Sequence, residues 1–163
     1  MNAFLINLLK LLRLRGGPQS IPSSGWLTVF LIAGYLLQNL IAGSQLGDDN
    51  AIAKSILSIS LQMIVLAGLL FWRRCPERFL QTLSALAMVG IVFNFITQAL
   101  LTQTDPLNNQ PALAMIWFAV FIWSLFVDAN IYRHAMSFTL SIGVLISVLL
   151  LATSFSLIEI LFL

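Results

Sequence analysis

Five long apolar segments constrain the fold of this chain more than any other feature. They cover about residues 25–46, 51–72, 79–101, 112–131 and 135–161 of a chain of 163. Each is close to the about 20 apolar residues that cross a hydrocarbon core of about 30 Å. Only 9% of the residues are charged, against about a quarter in soluble domains. The sequence therefore predicts an all-α fold, a polytopic integral membrane helix bundle in which residues 18–163 form a domain of five transmembrane helices.

Residues 1–17 are predicted to form an amphipathic interfacial helix ahead of the first span. Asn7, Lys10 and Arg13 share one side of a helical wheel, and the apolar residues lie mostly opposite. This pattern is typical of a helix that lies in the lipid headgroup plane. The basic residues follow the apolar ones and no small-residue cleavage site appears, which argues against a signal peptide.

The positive charges predict the orientation of the bundle. Seven of the eight Lys and Arg residues fall on one side of the five-span arrangement, and only Lys54 falls on the other. The seven are Lys10, Arg13, Arg15, Arg73, Arg74, Arg78 and Arg133. Because cytoplasmic loops carry an excess of Lys and Arg, we predict a multi-pass protein of a bacterial inner membrane, with a cytoplasmic N-terminus and a periplasmic C-terminus.

The polar segment 128–134 is predicted to be a cytoplasmic hinge between the fourth and fifth spans. Asp128 lies in the last turn of the fourth span, and an ionisable residue at membrane depth is a candidate functional residue because its burial is costly. Arg133 is five residues further on, about 140° around a continuous helix. Either the chain turns near Asn130, or Asp128 pairs with another segment. We expect the second, with an arginine of the 73–78 loop as the partner: Arg73, Arg74 or Arg78. A proton or ligand site at Asp128 is the alternative.

Three further polar residues are assigned to the membrane surfaces. Tyr132 is predicted to be an interfacial anchor. His134 is the only histidine and titrates near neutral pH in its ordinary state, but we expect an interface residue with a lipid or carbonyl partner. Lys54 is predicted to form an ion pair on the opposite side, with one of three acidic candidates: Asp48, Asp49 or Glu159.

Two pairs of amide side chains interrupt the apolar spans. Asn94 and Gln98 are four residues apart in the third span and therefore share a helix face, while Gln38 and Asn39 lie past the middle of the first span. We expect the first and third spans to meet there through amide hydrogen bonds, which average about 0.6 kcal/mol in membrane proteins. The alternative is that the four amides line a polar cavity for a substrate.

Small residues recur at a spacing of four in the fifth span. Gly143 and Ser147 show this spacing. Small residues on one face allow helices in a membrane to approach closely, so we expect a close helix contact here.

Sequence signatures of enzymes and of cofactor sites are missing. The chain contains no H-E-x-x-H, no G-x-S-x-G and no glycine-rich phosphate loop, which are the motifs of common hydrolases and nucleotide-binding proteins. With one His and one Cys, ligation of zinc, haem or an iron–sulfur cluster by this chain alone is not expected. Because the basic residues follow the membrane surface, nucleic-acid binding is not expected either. We predict a non-enzymatic protein without cofactors.

The layout resembles the Yip-domain family of small five-span membrane proteins. The resemblance rests on a short N-terminal segment with Gly17-Pro18 ahead of the first span, followed by five closely spaced helices. It implies a protein that acts by binding other proteins or by influencing the bilayer. The prediction is an accessory or assembly subunit that binds other integral membrane proteins or itself. The alternative is a small oligomeric transporter or channel whose path is lined by the four amides.

Overall fold

Six α-helices make up the described part of the chain. The computed structural model of the chain describes residues 2–104 and 110–162, with side chains from residue 6. The helices are α1 (Asn2–Leu12), α2 (Gly25–Leu46), α3 (Ala51–Trp72), α4 (Phe79–Leu101), α5 (Pro111–Met136) and α6 (Leu140–Phe162). Five of them, α2 to α6, are long and apolar enough to cross a membrane. The predicted all-α class is confirmed, and the chain is a multi-pass membrane protein.

The ends of α2 are fixed by residues that complete its backbone hydrogen bonding. The Ser24 hydroxyl accepts a hydrogen bond from the Leu27 amide at 3.5 Å, as expected of a residue that caps a helix N-terminus. Gly47 follows the helix with a φ of 69°, a left-handed conformation that glycine adopts without steric cost. A short turn then leads into α3. The predicted bounds of the first three spans coincide with α2, α3 and α4.

The predicted end of the fourth span at residue 131 is wrong, because α5 continues without a break to Met136. The residues that continue it include Ile131 and Ala135, which are fully buried and extend the apolar stripe of the helix past the polar side chains. The chain turns at Ser137, whose φ is 56°. The fifth span consequently begins at Leu140 and not at residue 135. The chain does not turn near Asn130.

Helix α4 occupies the centre of the bundle. Within the most apolar 18 residues of each span, 44% are buried in α4, compared with 22% or fewer in the other four. On one side α4 packs closely against α2: the hydroxyl oxygens of Thr28 and Ser84 are 2.7 Å apart, and the Tyr35 ring lies against Gly90. On another side α4 packs against α5.

The apolar core is concentrated at one end of the bundle. We call it the arginine end, because Arg73, Arg78 and the last turn of α5 lie there. In α3 the buried residues are Leu66 and Leu70, both near this end, and in α5 the buried residues all lie within 127–136. The opposite end, which holds the turn between α2 and α3, is called the Asp48 end. It is packed less tightly between α3, α5 and α6.

The N-terminal helix packs against α4 and α5 and reaches the middle of α5 at Trp123. Leu11 is fully buried, and α1 contacts both α4 and α5. The Trp123 indole N–H donates a hydrogen bond to the Leu12 carbonyl at 3.0 Å. Lys10 and Arg13 remain exposed. An amphipathic α1 is thus observed, with part of its apolar side packed on the bundle, and its position in the headgroup layer stays a prediction.

Candidate functional site

Asp128 lines a cavity inside the bundle and does not pair with an arginine. It lies eight residues before the end of α5, about 12 Å along the helix axis. The only ion pair within the described residues joins Lys54 to Asp48. Within that same part of the chain, the Asp128 carboxylate makes no hydrogen bond. The predicted pairing of Asp128 with Arg73, Arg74 or Arg78 is therefore not present.

The arginines of the 73–78 loop bind backbone carbonyls at the end of α5 instead. Arg73 Nε donates to the Met136 carbonyl at 3.2 Å, and Arg78 Nη1 donates to the Ala135 carbonyl at 3.1 Å. The last carbonyls of a helix have no partner inside the helix and carry its negative partial charge. They therefore compete successfully with a carboxylate that lies two turns deeper. The Arg74 side chain makes no hydrogen bond or ion pair among the described residues.

Two further residues of the predicted hinge, Asn130 and His134, attach the N-terminal segment to the bundle. Gln19 Nε2 donates to the His134 carbonyl at 2.9 Å, and Asn130 Nδ2 donates to the Gly16 carbonyl at 2.9 Å. His134 is partly buried and Arg133 is exposed; an interfacial role of the His134 ring stays a prediction. These contacts hold residues 16–19 across the arginine end.

Two cavities meet at Asp128. The smaller, about 100 Å³, lies between α2, α3, α4 and α5, and Tyr35, Gln62 and Gly90 also line it. The larger, about 500 Å³, lies between α3, α5 and α6; Tyr35 and Gln62 again contribute to its wall, together with Tyr132. Gln62 Nε2 donates to the Tyr132 hydroxyl at 3.2 Å. Asp128 is thus the acidic side chain of a polar group that also contains Tyr35, Gln62 and Tyr132, from three neighbouring helices.

Tyr132 is not the interfacial anchor that its position predicted. Only 1% of its surface is exposed, and its hydroxyl is hydrogen-bonded to Gln62. The continuation of α5 explains the difference, because Tyr132 lies one turn beyond Asp128 on the same side of an unbroken helix. It separates the larger cavity from the arginine end.

A third cavity extends from this polar group towards the Asp48 end. It has a volume of about 290 Å³ and is lined by Tyr35, Ser58, Asp48 and Lys54, among others. Tyr35 and Ser58 also line the 500 Å³ cavity, so the two are neighbours. Cavities lined by polar residues therefore follow one another from the turn between α2 and α3 to Asp128. At the arginine end the buried core of α3, α4 and α5 closes the bundle.

The ion pair at the Asp48 end confirms one of the three predicted partners of Lys54. Lys54 Nζ donates to both Asp48 carboxylate oxygens, at 3.0 and 2.8 Å. The hydrogen bond from Lys54 lowers the pKa of Asp48 below its ordinary value of 3.8, and the Asn50 amide contributes in the same direction. The two other candidates, Asp49 and Glu159, do not pair with Lys54.

The four amides have different surroundings in the structure. Asn39 Nδ2 donates to the Tyr35 carbonyl of its own helix at 2.8 Å, and Asn39 alone of the four borders one of the three cavities. Thr28 and Ser84 are paired across the contact between α2 and α4. Gln38 and Asn94 lie equally far beyond this pair along their helices, so the two amides are at the same level. The first and third spans thus meet where predicted. The predicted amide hydrogen bonds are absent, because both polar atoms of the Gln38 amide and Asn94 Nδ2 are buried without a partner. Gln98 makes no side-chain hydrogen bond in the described part of the chain.

The sequence analysis did not identify Tyr35 and Gln62 as members of the polar group around Asp128, or Ser58 as a residue that lines the larger cavity. Gln62 offered a signal, since it is an amide in the middle of an otherwise apolar span. Tyr35 and Ser58 offered none, because tyrosine and serine are ordinary residues in membrane helices. Their common position follows from the rotation of α2 and α3 about their axes, which only the packed structure defines.

Comparisons with protein-family models, with curated proteins and with solved structures found no match. The function must therefore be argued from the site. In the described ranges, 2–104 and 110–162, no three His, Cys, Asp or Glu side chains come together as metal ligands would. The site is a cavity with one carboxylate, two tyrosines and an amide, inside a bundle of membrane-spanning helices.

Proposed function

We propose that the protein binds a small organic cation at Asp128 and carries it across the membrane. One observation supports this proposal above the others: Asp128 borders two cavities and has no basic or hydrogen-bonding partner among the described residues. Placing an ionised carboxylate in a membrane helix costs about 2.5–3.5 kcal/mol on insertion scales. A cationic ligand would offset this cost, since it provides the missing opposite charge.

The walls of the larger cavity favour an organic cation over a metal ion. Besides Asp128 they contain four aromatic side chains: Tyr35, Phe121, Tyr132 and Phe155. Aromatic faces attract organic ammonium groups, whereas a hard metal cation requires several oxygen ligands. The volume of about 500 Å³ lies within the range of about 300–1,000 Å³ that is typical of small-molecule sites. The chemical class that fits is a small ammonium compound with an apolar substituent.

The arrangement of the cavities supports a transport function with one side closed. If the arginine end is cytoplasmic, as the distribution of positive charges predicts, the cavities face the other side of the membrane. The bundle is then in an outward-facing state, with Tyr132 and the buried core below the site. Transport would require α3, α5 and α6 to separate at the arginine end.

A matched pair of probes tests the binding step. Benzyltrimethylammonium carries a permanent charge, and neopentylbenzene has the same shape without the charge. We expect the purified protein in neutral detergent to be stabilised against heat by the charged probe alone, by about 2.7 kcal/mol at a hundred times its Kd. Asp128→Asn should abolish this stabilisation and Asp128→Glu should retain part of it. Asp49→Asn is the control, since Asp49 is exposed and borders none of the three cavities.

Equal stabilisation of the wild type and Asp128→Asn by the charged probe would contradict the proposed site. Equal stabilisation by both probes would show that the cavity selects shape and not charge. The transport step is tested separately in proteoliposomes, by uptake of labelled benzyltrimethylammonium. Binding without uptake would retain the site and refute the carrier function.

The second candidate function is an accessory or assembly subunit, which the resemblance to the Yip-domain family also favours. Its structural support is the low burial of α5 and α6, of whose most apolar stretches only 11% and 6% are buried. Partner helices could cover these faces. Purification at native expression level with an N-terminal tag tests this proposal. Charge reversal at Arg74 is the informative variant, because Arg73 and Arg78 already bind α5. Loss of a stoichiometric partner supports the subunit function, and the absence of any partner refutes it.

A further inference from the structure

A basic depression lies between the N-terminal segment and the end of α5. Its volume is about 410 Å³, and Arg15, Gly17, Arg133 and His134 line it. The two sides are held together by the hydrogen bond from Gln19 to the His134 carbonyl at 2.9 Å. Gly17 packs so closely that an added Cβ would lie 2.7 Å from His134 Cβ. The shape of the depression is therefore fixed by contacts and does not depend on exposed side chains alone.

The charge of the depression is not compensated by the protein. No acidic residue lines it, and the side chains of Arg15 and Arg133 make no hydrogen bond or ion pair within the described part of the chain. The negative partial charge at the end of α5 would normally repel an anion. Here that effect is reduced, because the last carbonyls of α5 already accept hydrogen bonds from three side chains: Gln19, Arg73 and Arg78. Two guanidinium groups remain available for an external anion.

We propose that this depression binds a phosphate group, such as that of an anionic lipid headgroup. Guanidinium groups bind phosphate through paired, charge-assisted hydrogen bonds, and the His134 ring provides a further polar group. The position supports a lipid as the source of the phosphate. The exposed Lys10 of α1 lies beside Gly16 at the edge of the depression, and basic residues near a membrane surface attract anionic lipids.

Thermal unfolding of the full chain in neutral detergent tests the proposal. The protein is titrated with short-chain phosphatidylglycerol, with short-chain phosphatidylcholine and with inorganic phosphate. We expect saturable stabilisation by phosphatidylglycerol. In the double variant Arg15→Gln/Arg133→Gln, the phosphatidylglycerol concentration that gives half of the stabilisation should rise about tenfold or more, because hydrogen bonds between charged groups are lost. The control Lys10→Gln/Arg13→Gln removes the same charge from exposed positions outside the depression and should shift the midpoint much less.

Each result of the titration has a defined meaning. Stabilisation by phosphatidylglycerol but not by phosphate supports a lipid site, and stabilisation by both supports a site for phosphate from either source. Equal weakening by the two double variants would refute the proposal, because it indicates diffuse attraction to a basic surface. The proposal would also be refuted if phosphatidylcholine stabilised the protein as much as phosphatidylglycerol does, or if none of the three compounds stabilised it. If the double variant does not fold, Arg133→Gln replaces it, since the exposed Arg133 side chain makes no contact that the fold needs.

Discussion

Replacement of Gly143 by alanine should destabilise the protein, although alanine is the better helix former. A Cβ at position 143 would collide with the Ala129 carbonyl oxygen and lie 3.0 Å from its carbonyl carbon. Both atoms belong to the backbone of α5, so no side-chain rotation relieves the contact. The backbones of α5 and α6 would have to separate, directly beside Asp128.

The expected magnitude combines two opposing effects. Alanine in place of a helical glycine gains about 0.5–1 kcal/mol from the lower entropy of the unfolded chain. Overpacking of a close contact costs about 1–3 kcal/mol. We therefore expect Gly143→Ala to lower the free energy of unfolding by about 1–2 kcal/mol. Gly68→Ala is the matched control, because no atom lies within 4 Å of a Cβ added there. Gly68→Ala should raise the free energy of unfolding by about 0.5–1 kcal/mol.

Reversible unfolding in mixed micelles, followed by circular dichroism, measures both values. Opposite signs for the two substitutions are the expected result. The close contact between α5 and α6 would be refuted if Gly143→Ala stabilised the protein as much as Gly68→Ala does. A loss of stability at both positions would instead show that alanine is unfavourable in these helices generally, and the contact would then not account for the effect at Gly143.

Three further predictions concern single polar side chains. Gln38→Leu should stabilise the protein by about 1 kcal/mol or more in the same unfolding assay, because it removes buried polar atoms that have no partner; a loss of stability would show that the amide is satisfied. Asp48→Asn should destabilise the protein at neutral pH, and the difference should disappear at acid pH. The folded-state pKa of Asp48 is lowered. The contribution of its carboxylate to the free energy of unfolding is therefore present above the ordinary pKa and is lost as the pH falls through the folded-state pKa. A difference in stability that persists at acid pH would contradict this. Asn130→Ala should weaken the attachment of the N-terminal segment by about 1 kcal/mol and accelerate tryptic cleavage after Arg15, and an unchanged cleavage rate would show that the hydrogen bond to Gly16 does not hold the segment.

The spans could be predicted from the sequence because their lengths are set by the bilayer. The bounds of α2, α3 and α4 follow from apolar length together with turn residues such as Gly47 and Pro76. The Lys54–Asp48 ion pair was among the predicted options, since a short turn keeps its two residues close. The close contact at Gly143 was also predicted, because small residues four apart are a local pattern.

The end of α5 and the environment of Asp128 could not be predicted in the same way. The polar residues between 128 and 134 have the composition of a loop. Packing keeps them helical, since Ile131 and Ala135 are buried against the core. The partner of Asp128 depends on how α5 is rotated and on what else the nearby arginines can bind. The predicted shared side of the membrane indicated an ion pair, whereas backbone carbonyls at the end of α5 bind Arg73 and Arg78 in the structure.

The binding of these arginines to carbonyls connects the two proposed sites. If Arg78 were paired with Asp128, the cavity would contain a neutralised carboxylate and the Ala135 carbonyl would lose its donor. Because the arginines stay at the end of α5, the Asp128 carboxyl group inside the bundle remains without a basic partner. The side chains of Arg15 and Arg133 at the surface likewise remain without a partner. An unpaired carboxyl group and two unpaired guanidinium groups at separate places are what a cation site and a phosphate site each require. Arg78→Met should therefore weaken the phosphate site through the freed helix end, while leaving Asp128 and its response to benzyltrimethylammonium unchanged.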